Sequence, residues 1–301
     1  MVKSTRILIL TLLAMIAFAS NSLLCRAALK ETSVDPASFT FLRIFSGAIA
    51  LWLLMCVRRK ASADRTPAVF SALLSQRPLV RDGSWPSAFA LFVYAAAFSF
   101  AYVGLPAGTG ALLLFAAVQA TMILWGFHKG ERLDLIQLFG LIIALAGVVV
   151  LVFPGLSAPP LIGAMLMLSA GVAWGIYSVR GKVAGDAVAV TTGNFVRAVL
   201  FVAAGSLALI SHAHVDVAGI GYAIISGAIT SGLGYVIWYS ALSGLRATSA
   251  ATVQLSVPIL AAAGGILLLG EPITLRYVFA SVAVLGGIAL VIWERTHAKL
   301  T

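Results

Sequence analysis

Two arginines stand inside apolar stretches of this chain, and they are its most chemically capable side chains. Arg43 lies about seven residues into the run 36–57, and Arg197 about nine into 188–210. An arginine set in hydrocarbon costs roughly 2.5 kcal/mol or more on insertion scales, so it marks an interior path or site by default. Such a guanidinium can clamp a carboxylate or act as a gate. The structural alternative is that each snorkels to its nearer interface or binds the helix-end carbonyls of a neighbour. Asn194, three residues before Arg197, shares its helical face.

Aromatic residues supply the second pattern. Tyr94, Phe98 and Tyr102 recur at four-residue spacing and so line one face of a helix. Tyr235 and Trp238 cluster in a later stretch, and Trp174 and Tyr177 form a further pair. Deep in an apolar helix, a tyrosine hydroxyl or an indole N–H needs a partner. These side chains are expected to line a cavity, with ordinary packing as the alternative. Neutral polar groups join them: Asn21, Ser22, Gln119, Gln254 and Ser256. Pro258 removes a backbone hydrogen bond and frees a carbonyl in mid-helix.

The acids tell by their placement. All ten of them, and all four histidines, fall outside the apolar cores. A proton-coupled carrier needs an intramembrane carboxylate or histidine as relay, so a buried-acid relay is disfavoured. Glu131 and Glu271 are expected to open the fifth and tenth helices. There a carboxylate compensates unpaired amides and the positive helix end; a gate contact is the alternative. No metal-ligand cluster, acid/base pair or hydrolytic triad is visible. No glycine-rich phosphate loop is followed by Lys-Ser or Lys-Thr. The sequence therefore implies no cofactor, no metal and no catalytic residue.

The elements that position these residues are apolar helices. The 301 residues are 61% hydrophobic and 10% charged, far from the roughly 25% charge of a soluble domain. Apolar runs at 6–29, 36–57, 85–104, 109–128, 134–153, 161–180, 188–210, 217–242, 248–269 and 272–293 each match the roughly twenty residues that cross a bilayer core. An all-α membrane protein with ten transmembrane helices is predicted, because backbone groups in lipid must be satisfied internally. The net charge of +10 reflects topology and not a nucleic-acid partner. With the N-terminus inside, fifteen Lys and Arg fall in cytoplasmic segments, against Arg26, Lys30 and Arg276 on the outer side. Both termini are thus expected in the cytoplasm. The basic connection 58–84 reads as a headgroup-lying segment or a solvated linker. Cys25 and Cys56, toward opposite ends of their helices, are not expected to pair.

The chain repeats itself in inverted form. At an offset of 154, Arg26 falls on Arg180 and Phe41-Leu42-Arg43 on Phe195-Val196-Arg197. At an offset of 140, Ala107 falls on Ala247 and Gly130-Glu131 on Gly270-Glu271. Five crossings per half, an odd number, force the halves into opposite orientations, with a substrate site between them near the midplane. The halves are 1–155 and 156–301.

The run from Ala107 through Gly130-Glu131-Arg132 to Gly140 and Gly147, with its copy through Pro258, Gly270-Glu271-Pro272 and Gly287, resembles the EamA domain. Two such domains make a ten-helix member of the drug/metabolite transporter superfamily. The first half departs from the pattern, with Ser20-Asn21 opposite Trp174-Gly175 and Val118 opposite Pro258. The resemblance implies a bacterial inner-membrane exporter of amino acids, other metabolites or toxic compounds, and is nearest to the aromatic amino acid exporters. The expected function is export of aromatic or other hydrophobic amino acids by alternating access. Neutral polar groups would meet the ammonium and carboxylate, and the protein would act as a facilitator. The alternative is multidrug efflux of lipophilic compounds. The partners expected are a small-molecule substrate and the lipid bilayer; the pattern does not choose between monomer and homodimer.

Overall fold

Ten apolar runs become ten helices long enough to cross a bilayer. The computed structural model describes residues 2–63, 82–128, 130, 134–155, 158–181, 186–242, 244–245 and 247–297. Most of the 58–84 connection and Glu131 lie outside the described residues. In chain order the helices are α1 (Val2–Glu31), α2 (Pro36–Ala63), α3 (Trp85–Tyr102), α4 (Ala107–His128), α5 (Leu135–Val152), α6 (Leu161–Gly181) and α7 (Ala187–Ala208). They are followed by α8 (Val217–Leu242), α9 in two pieces (Ala247–Gln254 and Ser256–Leu269), and α10 (Leu275–His297). No strand occurs among the described residues. Helix α2 runs to Ala63, past the expected end at 57.

Short polar side chains set the helix starts by accepting free amides of the first turn. Asp35 accepts from Ala37 and Ser38 (2.9 and 3.0 Å) at α2. Ser84 accepts from Ser87 at α3, Asp186 from Val188 at α7, and Asp216 from Gly219 at α8. Helix α5 is capped by Asp134, in a reciprocal box with Gln137.

The packing follows the inverted repeat. Helix α1 lies against α8 and α9, while its counterpart α6 lies against α3 and α4. Helices α2 and α7 pack on each other, as do α5 and α10. Helix α2 also packs on α8, and α7 on α3, so these two belong with the other six in the bundle, and only the α5–α10 couple lies to one side. In the α5–α10 couple a methyl group added at Gly140 would lie 2.6 Å from the Gly287 carbonyl oxygen. Small residues let these backbones touch, which is how helices associate where lipid removes the hydrophobic drive.

Two helices of the bundle are irregular. The middle of α8, Ile225–Leu233, is a π-helix, a form that is rare and often marks a functional position. Helix α9 breaks at Leu255. Pro258 has no N–H to offer the Gln254 carbonyl one turn back, so the ladder is interrupted there.

Candidate functional site

Asn21, about two thirds of the way along α1, anchors a polar cluster. Its side-chain oxygen accepts from the hydroxyls of Ser226 (2.7 Å), Thr230 (3.2 Å) and Ser231 (3.5 Å). Its nitrogen donates to the Tyr94 hydroxyl at 3.2 Å. All three hydroxyls belong to the π segment of α8, where the wider turn presents them together. Gly227 in that segment lies against the Arg43 carbonyl and the Ser46 side chain, leaving no room for a Cβ.

Arg43 is wholly buried. Its Nε donates to Ser231 Oγ (3.2 Å) and its Nη2 to the Tyr94 hydroxyl (3.1 Å). Its guanidinium carbon sits 4.8 Å from the centre of the Phe98 ring and 5.3 Å from that of Tyr94, within cation–π range. Nη1 has no hydrogen-bond partner. Neither ion pair formed among the described residues involves Arg43. Snorkelling to an interface is thus ruled out for Arg43, because its donors point to α8 and α3 inside the bundle.

Arg197 has the opposite fate. Its Nη1 donates to the carbonyls of Asp82 (2.8 Å) and Gly193 (2.9 Å), and its guanidinium lies 5.8 Å from the Trp85 ring. It fastens the start of α3 to α7 as a helix-end clamp. Asn194 helps, accepting from the Ser84 amide (2.9 Å) and donating to the Tyr177 hydroxyl (3.4 Å).

The aromatic residues meet around Phe18, which the sequence reading passed over. Its ring centre lies 6.0 Å from Trp174, 6.0 Å from Tyr235 and 5.9 Å from Trp238, edge-on to each. Trp174 in turn contacts Tyr94 (5.0 Å) and Tyr177 (5.4 Å). Between these rings is a cavity of about 10 Å³, lined by Phe18, Asn21, Ser22, Tyr94, Phe98, Trp174 and Tyr235 together with Leu114 and Phe115 of α4. That space holds about one water molecule, so the centre is closed. The Tyr235 hydroxyl has no hydrogen-bond partner.

Several expected site residues are placed elsewhere. Tyr102 is fully buried, with its hydroxyl donating to the Ala107 carbonyl (3.2 Å). Gln119 donates weakly to the Ala251 carbonyl (3.5 Å) at the α4–α9 contact. Gln254 and Ser256 bond carbonyls of their own helix, those of Ala250 and Val253. None of these four lines the central cavity, and neither does Pro258, Tyr177 or Trp238. The residues with polar groups that do line it come from α1, α3, α6 and α8. Ser226, Thr230 and Ser231 were missed; their signal was a run of small polar residues in the middle of an apolar stretch.

Glu271 does not cap α10, whose first turn is capped by Thr274 (Tyr277 amide to Oγ1, 3.1 Å). Instead its Oε2 accepts from the Ala107 amide at the start of α4 (2.7 Å). Its Oε1 pairs with Arg26 Nε at 2.9 Å. Arg26 also donates to the carbonyls of Tyr102 and Val103 (both 2.9 Å). One ion pair thus joins α1, the α3–α4 connection, the start of α4 and the α9–α10 connection. A second cavity, of about 260 Å³, opens at this end; Pro106, Thr109, Pro160, Ala262 and Glu271 are among its walls.

Comparison with known proteins identifies this architecture. Residues 5–153 and 161–293 each match the EamA-like transporter family, and the chain belongs to that family, as a multi-pass membrane protein built of two EamA repeats. An uncharacterized protein of Pseudomonas aeruginosa is 55% identical over 290 residues, covering 96% of both chains. A probable amino-acid metabolite efflux pump of Salmonella typhimurium is 26% identical, over 74% of this chain and 79% of that one. A pump of the same description from Escherichia coli is 29% identical, over 62% and 67%. One solved crystal structure shares the fold with a TM-score of 0.64 at 16% identity, over 95% of this chain and 97% of that one.

Proposed function

We propose that this transporter exports amino acids, aromatic or other hydrophobic ones foremost, across the inner membrane, with both termini in the cytoplasm. Substrate would sit where the small cavity now lies, between the two halves, and reach either side by alternating access. The observation that carries the reading is Arg43: a buried guanidinium with one free nitrogen, placed beside a cage of aromatic rings. A carboxylate meets the guanidinium, and an apolar side chain replaces Phe18 among Trp174, Tyr235 and Trp238. Two relatives named as probable amino-acid metabolite efflux pumps support the same substrate class. Efflux of lipophilic cations is the weaker reading, since a buried positive charge beside the path repels them.

The Arg26–Glu271 pair serves as the outer gate. Arg26 belongs to the first half and Glu271 to the second, so the pair must part when the halves separate on that side. In the core, the described acids offer no relay, and the carrier runs down the substrate gradient. The test is flux of radiolabelled L-phenylalanine in proteoliposomes of the purified protein. Saturable flux that an imposed proton gradient does not accelerate is expected. Absence of flux for any amino acid, with or without the gradient, rejects the proposal.

A further inference from the structure

The central cluster holds a buried positive charge with a free donor, and neither ion pair formed among the described residues compensates it. Asn21 Oδ1, its strongest neutral acceptor, already takes three hydroxyl contacts, and the Tyr94 oxygen takes both Asn21 Nδ2 and Arg43 Nη2. On the other side of the balance, Arg43 Nη1 is buried and unpartnered, and a guanidinium nitrogen can only donate. The guanidinium lies against the Phe98 and Tyr94 rings, so a second cation on the same rings would sit close to a like charge. Both rings line the cavity, and the guanidinium carbon is 4.8 and 5.3 Å from their centres. An arginine stays protonated in proteins, and a desolvated charge without an opposite one is costly. A ligand carrying its own negative charge removes that cost.

We infer that the group recognised by this site is a carboxylate on an apolar body, seated on Arg43, and that an ammonium group on the same molecule has no subsite of its own. This rests on the central cavity being the substrate path, as proposed above. It adds that deaminated acids of the same shape bind at least as well as the amino acid, while the matching amines do not bind appreciably.

Three probes with one body decide it: 3-phenylpropanoate, L-phenylalanine and 2-phenylethylamine. Each is titrated into the purified full-length protein in detergent, and binding is read by the change in tryptophan fluorescence, since Trp174 borders the cavity and Trp238 contacts Phe18. The acid is expected to bind as tightly as the amino acid or tighter, and the amine at least tenfold more weakly. Arg43→Gln weakens binding of the acid roughly 10- to 100-fold, the range for a lost charged hydrogen bond, and leaves the amine unchanged or slightly improved. Arg43→Lys, which keeps the charge but not the planar fork, falls between. If Arg43→Gln does not fold, the ranking of the three probes on the wild-type protein decides alone. An amine that binds as tightly as the acid, or a folded Arg43→Gln that binds the acid undiminished, overturns the inference. Flux measured in parallel separates it from the amino-acid proposal. Phenylpropanoate bound and moved without phenylalanine flux removes that proposal and keeps this one. Phenylalanine flux with equal binding of the amine does the reverse. Binding of none of the three overturns both.

Discussion

On the proposed gate, breaking the Arg26–Glu271 pair should open the side of the transporter on which it lies. The two side chains are only 14% and 7% exposed and their charged atoms lie 2.9 Å apart. At that distance the bare attraction is about 6 kcal/mol at an effective dielectric near 20. Desolvation offsets much of it, and charged hydrogen bonds contribute about 1.5–3 kcal/mol net. Glu271→Gln keeps the side-chain length, and its amide oxygen still accepts from the Ala107 amide, now bonded at 2.7 Å. The change therefore removes the ion pair with little else. A loss of about 2 kcal/mol from the closed form alone raises the open fraction roughly 30-fold. Cys25, next to Arg26, is the natural reporter because it is a free thiol with no exposed surface. With Cys56→Ser as background, an impermeant maleimide added from the outer side should label Cys25 about 30 times faster in Glu271→Gln. The double variant with Arg26→Gln should label no faster than Glu271→Gln alone, because the pair is already lost. A folded Glu271→Gln protein whose Cys25 labels at the wild-type rate would refute the gate.

Three further outcomes follow from the packing and electrostatics. Phe18→Ala, which empties the middle of the aromatic cage, should cost about 3–5 kcal/mol of stability; a melting temperature within a degree of wild type would show that the cage collapses without loss. Gly140→Leu should abolish folding into a monodisperse protein, because its Cβ alone lies 2.6 Å from the Gly287 carbonyl oxygen; size-exclusion chromatography after extraction reads the result. Asp35 is partly buried, which by itself would raise its pKa, but hydrogen bonds from the Ser38 side chain and from the amides of Ser38, His214 and Ala37 hold it below the usual value. A depressed carboxylate contributes stability that is present above the unfolded pKa near 3.9 and lost as pH falls through the folded one. The stability difference between wild type and Asp35→Asn should therefore be full at pH 6 and shrink below pH 4; a difference that stays constant to pH 3 would exclude this linkage.

The long apolar runs were legible because membrane crossing depends on local composition and length, and every boundary but the end of α2 fell close to the expected position. Local chemistry also marked Asn21, Tyr94, Trp174 and Tyr235 as unusual, since each is a polar group deep in an apolar run. For Gln119, Gln254 and Ser256 the fold adds a partner that the pattern does not show. Those side chains are equally polar and equally deep, but backbone carbonyls within reach satisfy them. Phe18 gave no signal at all, because one phenylalanine in an apolar helix looks like any other.

The clearest division between the two levels is the pair of arginines. The 154-residue repeat makes Arg43 and Arg197 equivalents, and pattern alone treats them alike. In the folded chain Arg43 meets Ser231, 188 residues away, and Tyr94, 51 residues away, and keeps a nitrogen free in the interior. Arg197 meets the carbonyl of Asp82, 115 residues away, and that of Gly193 in its own helix, so its Nη1 is spent on backbone carbonyls. Composition and period determined that ten helices cross the membrane as two opposed sets of five, because hydrophobic length is a property of each segment by itself. Which buried charge is left uncompensated was decided only by the tertiary structure, because it depends on what distant segments bring within hydrogen-bonding range.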